Sequence, residues 1–354
     1  MLYSSNVISF IHTIKSEFIE DEMSFMAKQL KKVKESKPYK GFSILQNIPF
    51  TKETLIKTEI LIEGGAEVTI TSPSFMDPDP VLVDNFKQSG GTFIEQKKIK
   101  DSIFDFHLDC AAELLSFQPP RIGTVEITGT GTNKYRDANA TYPIISIDQS
   151  VIKNLEGVLG TGEAFLRAFK EITLQDVRNK QFMIFGYGKV GKGMSHYLKN
   201  EGANVTIVDL EDSVLEQAAN AGFKAIHAKN KTTVESAAKE MFCIATATGR
   251  ENIISDNYNA INFKNKFLAN MGGDDEFGYN FKDDEVLCKK RPINFFISTP
   301  TLMRYLDPVF YAHNMGIDIL LYSNLKDGLY PFPSHIAEEV VLEWTGIFNE
   351  KIFT

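Results

Sequence analysis

Three glycines in the stretch Gly186-Tyr-Gly188-Lys189-Val190-Gly191, entered from the apolar run Phe182-Met-Ile-Phe185, have the spacing of a phosphate cradle. In such a cradle the first glycine makes the tight turn after a strand, the second lets the backbone approach a pyrophosphate, and the third lets the following helix pack closely on the sheet. That helix is expected from about Val190 to Asn200, with its first-turn N–H groups, around Lys189 and Val190, aimed at the phosphates. A second apolar run, Ala203-Asn-Val-Thr-Ile-Val208, ends on Asp209. This is the distance at which a carboxylate accepts hydrogen bonds from ribose hydroxyls, and Leu210-Glu211-Asp212 adds no cation for a 2′-phosphate. The expected cofactor is therefore NAD rather than NADP.

The elements that must hold this cradle belong to a chain of 354 residues, too long for one ordinary core and suited to two domains. No run approaches the roughly 18 apolar residues of a membrane span, and no basic-then-apolar leader is evident, so a cytoplasmic protein without a membrane partner is expected. The net charge of −8, with no basic block, argues against a nucleic-acid partner. Cys110, Cys243 and Cys288 are scattered, and His12, His196, His227, His313 and His335 lack ligand spacing, so neither a metal site nor a disulfide framework is expected.

The first forty residues read as a helical cap ending near Lys37-Pro38. Strands are expected at Gly41–Leu45, Ala66–Thr71 and Thr92–Ile94, with helices at Lys52–Glu63 and Pro80–Gln88 between them. The cradle opens a second series, with strands at Phe223–Ile226, Met241–Thr246 and Phe267–Asn270. The last fifty residues show a helix around Val309–His313, a strand-like Ile317–Tyr322 and an amphipathic helix Ser334–Phe348. The expected fold is α/β, with two Rossmann-like open-sheet domains separated by a hinge and cleft and an N-terminal helical cap. Residues 1–155 plus 305–354 would form a discontinuous substrate-type domain, and 156–304 the nucleotide domain.

Beyond the cradle the chain carries Glu35-Ser-Lys-Pro-Tyr-Lys-Gly41, Thr51-Lys-Glu53-Thr54, Glu126-Ile-Thr128-Gly-Thr130-Gly131, Asp148-Gln-Ser150-Val-Ile-Lys153, Thr246-Ala-Thr248-Gly249 and Asn270-Met271-Gly272-Gly273. With the Gly186–Gly193 segment, these stretches resemble the S-adenosyl-L-homocysteine hydrolase family from about Asp21 to about Phe348. The resemblance implies NAD contacts from Thr128, Thr130, Thr248, Met271, Gly272 and Asn294, although Ile293–Ile297 also reads as a plain strand. It implies substrate contacts from Thr51, Glu53 and Asp109 and an acid–base role for Lys153. Thr51 and Glu53 read equally as a helix N-cap and first-turn acid, and Lys153 as a surface lysine near a hinge. A homodimer or homotetramer is expected, with a small-molecule substrate.

The resemblance breaks where the family keeps its other acid–base groups. Pro49 and Gly273 stand at histidine positions, Ile127 at a glutamate and Cys110 at an aspartate, and beyond Lys153 the family's Lys-Phe-Asp-Asn stretch has no counterpart in Leu155-Glu-Gly-Val158. Lys189 replaces an acidic residue inside the cradle. Cys110 reads as a packed thiol, and His107 has too little around it to define a site. The family's C-terminal Lys and Tyr arm has no counterpart in Phe348–Thr354, which implies an exchangeable cofactor. Three readings stay open: an NAD-dependent enzyme of divergent specificity that oxidises or epimerises a hydroxyl-bearing metabolite, a non-catalytic NAD-binding regulator or subunit, and a hydrolase with relocated acid–base groups.

Overall fold

The computed structural model describes residues 5–99, 101–350 and 352; residues 351, 353 and 354, the end of the stretch compared with the family's arm, lie outside it. The chain begins with α1 (Ser5–Lys15), α2 (Ser24–Ser36), β1 (Ser43–Asn47), α3 (Lys52–Glu63), β2 (Glu67–Thr71), α4 (Pro80–Gln88) and α5 (Gln96–Ile99). It continues through β3 (Phe106–Asp109), β4 (Gly123–Glu126), α6 (Gly129–Asp137) and β5 (Pro143–Ser146). A π-turn at Leu155–Gly160 precedes α7 (Thr161–Thr173), β6 (Gln181–Phe185), α8 (Lys189–Asn200), β7 (Asn204–Asp209), α9 (Asp212–Asn220) and β8 (Lys224–His227). Then come α10 (Lys231–Lys239), β9 (Cys243–Thr246), α11 (Ile253–Asn257), β10 (Phe267–Asn270), α12 (Met303–Tyr322), β11 (Gly328–Pro331) and α13 (Ser334–Phe348). Two compact units result, one of Met1–Leu155 with Met303–Phe353 and one of Glu156–Leu302.

The first unit is built on a parallel six-stranded sheet of order β11-β5-β4-β3-β1-β2. Strand order reverses between β1 and β3, so the carboxyl ends of these strands open a crevice where α/β sheets take ligands. Helix α12 crosses the sheet at close range: a Cβ on Gly316 would lie 2.5 Å from Val125, and Leu320 fills the space over Gly123. This explains why the expected strand Ile317–Tyr322 is helical. A short apolar run buried on several sides has no period that separates strand from helix, and here Ile317 and Leu320 are the buried end of a 20-residue helix. The expected strand at Thr92–Ile94 reduces to a single bridge, Ile70 to Phe93. Strands β3, β4, β5 and β11, each of four residues, escaped the sequence reading.

N-terminal helices cover the same unit. Asp307 on α12 accepts the Phe25 and Met26 N–H groups, each at 2.8 Å, and so caps the start of α2. Burial pushes the Asp307 carboxyl up to about 7. Glu59 of α3, almost enclosed, draws His12 and Lys15 of α1 to 2.8 and 3.3 Å.

The second unit carries a parallel five-stranded sheet of order β10-β9-β6-β7-β8, reversing between β6 and β9. Helices α7 and α8 touch through glycines: a Cβ on Gly193 would sit 1.9 Å from the Val158 carbonyl oxygen, and one on Gly162 would sit 2.4 Å from the Gly193 carbonyl carbon. The core holds Phe165, Phe169, Phe182, Met194 and Ile207 on one side of the sheet and Phe185, Ile244 and Phe263 on the other. Both sheets are wholly parallel and open, which makes the protein an α/β molecule of two Rossmann-like units. Among the described residues no helix is long and apolar enough to cross a membrane.

Candidate functional site

In the second unit each cradle glycine has a separate steric reason. Gly186 adopts φ +92°, a left-handed geometry that favours glycine. A Cβ on Gly191 would fall 2.0 Å from the Gly186 carbonyl oxygen, so only a hydrogen fits where α8 packs behind the turn. A Cβ on Gly188 would meet nothing within 4 Å. Gly188 is therefore small for the sake of the space in front of it, the arrangement a pyrophosphate requires. Lys189, Val190 and Gly191 form the first turn of α8, where unsatisfied N–H groups and the helix dipole favour an anion.

A cleft of about 260 Å³ opens beside this turn, lined by Gly186, Gly188, Asp209, Glu211, Thr248 and Arg250 among others. Asp209 Oδ2 accepts the Tyr187 N–H at 2.8 Å, and Oδ1 accepts those of Leu210 and Glu211 at 2.7 and 3.1 Å. A carboxylate has about four acceptor positions, so these three bonds fix the group and leave room for about one more donor. Fingerprint turn, open Gly188 face and oriented carboxylate together fit NAD.

The opposite wall rests on a residue that sequence reading missed. Glu276, fully buried, accepts the Thr248 N–H at 3.0 and 2.9 Å, the Thr248 hydroxyl at 2.9 Å and the Gly249 N–H at 2.6 Å. Burial raises its carboxyl above the ordinary range against the pull of these donors. The same group lies under Gly272, where a Cβ would stand 2.0 Å from Oε1. Asn270 completes the support: its Oδ1 accepts the Gly272 N–H at 3.1 Å and its Nδ2 donates to the Lys290 carbonyl at 2.6 Å. Met271 is buried in the core behind this loop. Asn294 is also buried, in a 3₁₀ turn at Ile293–Phe296 rather than a strand. The only sequence clue to Glu276 is an acid close behind Asn270-Met-Gly-Gly; its partner Thr248 lies 28 residues earlier.

In the first unit the residues of interest gather at the carboxyl ends of β1, β3 and β4. Thr51 is the N-cap of α3, its hydroxyl accepting the Thr54 N–H at 3.4 Å. Glu53, in the first turn, is only 7% exposed, and its carboxylate has no hydrogen-bond or ionic partner among the described residues. Asp109 is fully enclosed and accepts from Asn47 Nδ2 at 2.9 Å, the Cys110 and Leu114 N–H groups at 2.8 and 3.1 Å, and Tyr135 Oη at 2.6 Å. Its oxygens, expected at a substrate, are engaged by these four donors, from β1, from α6 and from the loop that follows β3. In that loop Ala111 and Ala112 hold φ +63° and +52°, a left-handed geometry that ordinarily favours glycine.

Thr128 caps α6; its hydroxyl donates to Glu126 at 2.6 Å and accepts the Gly131 and Ala111 N–H groups at 3.0 Å each. Thr130 is exposed on the first turn of α6. Lys153 is 8% exposed, so it is not a surface lysine. Cys110 is buried. His107 is buried with neither ring nitrogen hydrogen-bonded among the described residues, and burial lowers it to about 4.

Residues 158–283 match the family described as S-adenosyl-L-homocysteine hydrolase, NAD binding domain. The chain is 24% identical to the adenosylhomocysteinase of Thermoplasma acidophilum, over 73% of this chain and 68% of that one. It is 25% identical to the S-inosyl-L-homocysteine hydrolase of Methanopyrus kandleri, over 95% of this chain and 91% of that one. Among solved structures, a dipicolinate synthase chain from Bacillus halodurans superposes with a TM-score of 0.46 at 12% identity, covering 79% of this chain and 98% of that chain. The cradle lies inside the matched domain and its geometry fits the nucleotide named by that domain. The chain is thus similar to adenosylhomocysteinases and S-inosyl-L-homocysteine hydrolase, and residues 158–283 match that family's NAD-binding domain.

Proposed function

We propose that the protein is an NAD-dependent enzyme of divergent specificity that oxidises or epimerises a hydroxyl-bearing metabolite, with 156–304 as the nucleotide domain and the remainder as the substrate domain. Glu53 carries this reading. Glu53, a residue 7% exposed and without a hydrogen-bond or ionic partner among the described residues, stands at a sheet crevice of the first unit, and its carboxyl oxygens are not sealed from the crevice, so an incoming donor can reach them. A ligand bearing an N–H or O–H donor would supply one, and a nucleotide-binding scaffold alone has no need of such a group. Thr51, at the same helix start, would flank that ligand.

Bound NAD supplies hydride acceptance. The chain's own contribution is proton handling and orientation: Lys153 Nζ, acting from its neutral amine form, would take the substrate hydroxyl proton, becoming an ammonium, and in an epimerisation would return it when the ketone is reduced. Asp209 would hold a ribose hydroxyl, the first turn of α8 the pyrophosphate, and Glu276 would keep Thr248 and Gly249 in place. Met271, Gly272 and Asn294 are proposed to shape the nicotinamide side of the nucleotide unit, and Thr128 and Thr130 keep the cofactor-contact role that the resemblance implies. Pro49, Cys110, Ile127 and Gly273 offer no acid or base for eliminating a thiol and adding water. A homodimer or homotetramer in the cytoplasm belongs to the same proposal.

The test is to release nucleotide from purified protein, identify it by mass, and then follow absorbance at 340 nm with a panel of nucleosides and other polyhydroxy metabolites. Reduction of NAD by one of these, lost in Lys153→Met and Glu53→Gln, is the expected result. A second reading, hydrolysis of an S-nucleosylhomocysteine, is favoured by the match to S-inosyl-L-homocysteine hydrolase along most of both chains. Thiol release from S-adenosyl- or S-inosylhomocysteine at a rate typical of hydrolases would select it.

A further inference from the structure

We infer that Arg250 is the specificity residue for the base end of the dinucleotide, its guanidinium lying flat on a purine held in the cleft beside β7. This rests on NAD occupying the second unit. The cleft divides by chemistry. Gly188 and the start of α8 form its phosphate end, and Asp209 marks the ribose. Beyond Asp209 the walls turn apolar, with Val214, Ala228 and Ile253. Ala228 directly follows β8 and donates its N–H to the Asp209 carbonyl at 2.8 Å, which places this apolar patch next to the ribose carboxylate. A planar base is the part of the ligand left to fill it.

Arg250 lines the same cleft from the loop after β9. Its backbone N–H is anchored on the Thr248 hydroxyl at 3.2 Å, so the residue leaves the Glu276-supported loop in a fixed direction. Its side chain is exposed, and among the described residues its guanidinium has neither a hydrogen-bond nor an ion-pair partner, although Asp209 and Glu211 line the cleft with it. A delocalised, weakly hydrated guanidinium stacks readily on an aromatic face, and a base slot with apolar walls provides the desolvated setting in which this counts. Asp209 and Glu211 would repel a 2′-phosphate, so the guanidinium serves the base rather than a second phosphate.

The experiment is calorimetric titration of the full chain, freed of nucleotide, with NAD, ADP-ribose and NADP, for the wild type and for Arg250→Ala, Arg250→Lys and Arg250→Phe, with melting curves to verify folding. Stacking predicts that Arg250→Ala weakens NAD and ADP-ribose by the same factor, roughly 2- to 30-fold. Arg250→Phe should recover most of the loss and Arg250→Lys little, an ordering that a merely structural role would not produce. Unchanged NAD affinity in Arg250→Ala overturns the inference while leaving the NAD site standing. A loss confined to NADP also overturns it, by assigning Arg250 to a 2′-phosphate. A wild type that binds neither NAD nor ADP-ribose removes the NAD reading itself.

Discussion

Asp109 and Glu126 are register partners at the ends of β3 and β4, and their carboxyl groups grip one loop from two sides. Asp109 takes the N–H groups of Cys110 and Leu114, while Glu126 takes those of Ala111 and Ala112 at 3.2 and 3.0 Å. These bonds hold two alanines in left-handed backbone geometry, which costs about 1–2 kcal/mol per residue. Burial, and for Glu126 the charge of Asp109, push the two groups up to about 6 and about 8.

The sign of the resulting pH dependence follows from those shifts. The folded protein keeps a proton on this pair that the unfolded chain releases near pH 4–4.5, so the contribution to stability is full below that range and is lost as pH rises toward about 8. Glu126→Gln should flatten this slope. It should also cost about 1–3 kcal/mol at pH 6, because an amide cannot accept the Ala112 N–H and the Ala111 and Thr128 donors together. Urea denaturation of both proteins from pH 5 to 8 measures both effects.

His107 works in the opposite direction. Its neutral form is favoured in the fold, with the group lowered from 6.5 to about 4, so stability is present above pH 6.5 and is lost as pH falls toward 4. The difference in unfolding free energy between wild type and His107→Leu should change by roughly 2 kcal/mol between pH 7 and pH 5. Leucine should be the more stable at pH 5.

The glycines of the cradle separate binding from folding. Gly188→Ala places a methyl in open space at an ordinary negative φ, so its melting temperature should match the wild type while NAD affinity falls at least tenfold. Gly191→Ala drives a methyl into the Gly186 carbonyl and should lose about 1–3 kcal/mol of stability. Calorimetric titration alongside thermal melts distinguishes the two.

Asp209→Ala should weaken NAD by about 1.5–3 kcal/mol, the range for a charge-assisted hydrogen bond. The variant also frees the N–H groups of Tyr187, Leu210 and Glu211, so Asp209→Asn, which keeps one acceptor oxygen, should lose less. Equal affinities for wild type and alanine variant would show that the ribose finds another acceptor.

Legibility in the sequence followed the range of the forces involved. Helices α3, α4 and α13 were readable to their end residues because Thr51 and Asp79 cap two of them and their apolar spacing is local. The cradle was readable because its glycines answer to the backbone within a few residues. Strands β3, β4 and β5 are nearly or wholly buried and four residues long, so they offer neither alternation nor length. Helix α12 was split because its apolar residues face several neighbours at once. Glu276 and Arg250 were invisible for another reason: their meaning comes from a loop that folding brings to them.

The first unit is left incomplete at Leu155 and resumes only at Met303. During synthesis its β4 and β5 therefore emerge without α12, which fills the space over Gly123 and meets Val125, and without β11, which pairs with β5. The whole of Glu156–Leu302 must leave the ribosome before those partners exist. The nucleotide unit, contiguous in the chain, is thus free to fold before the first unit has its last helices.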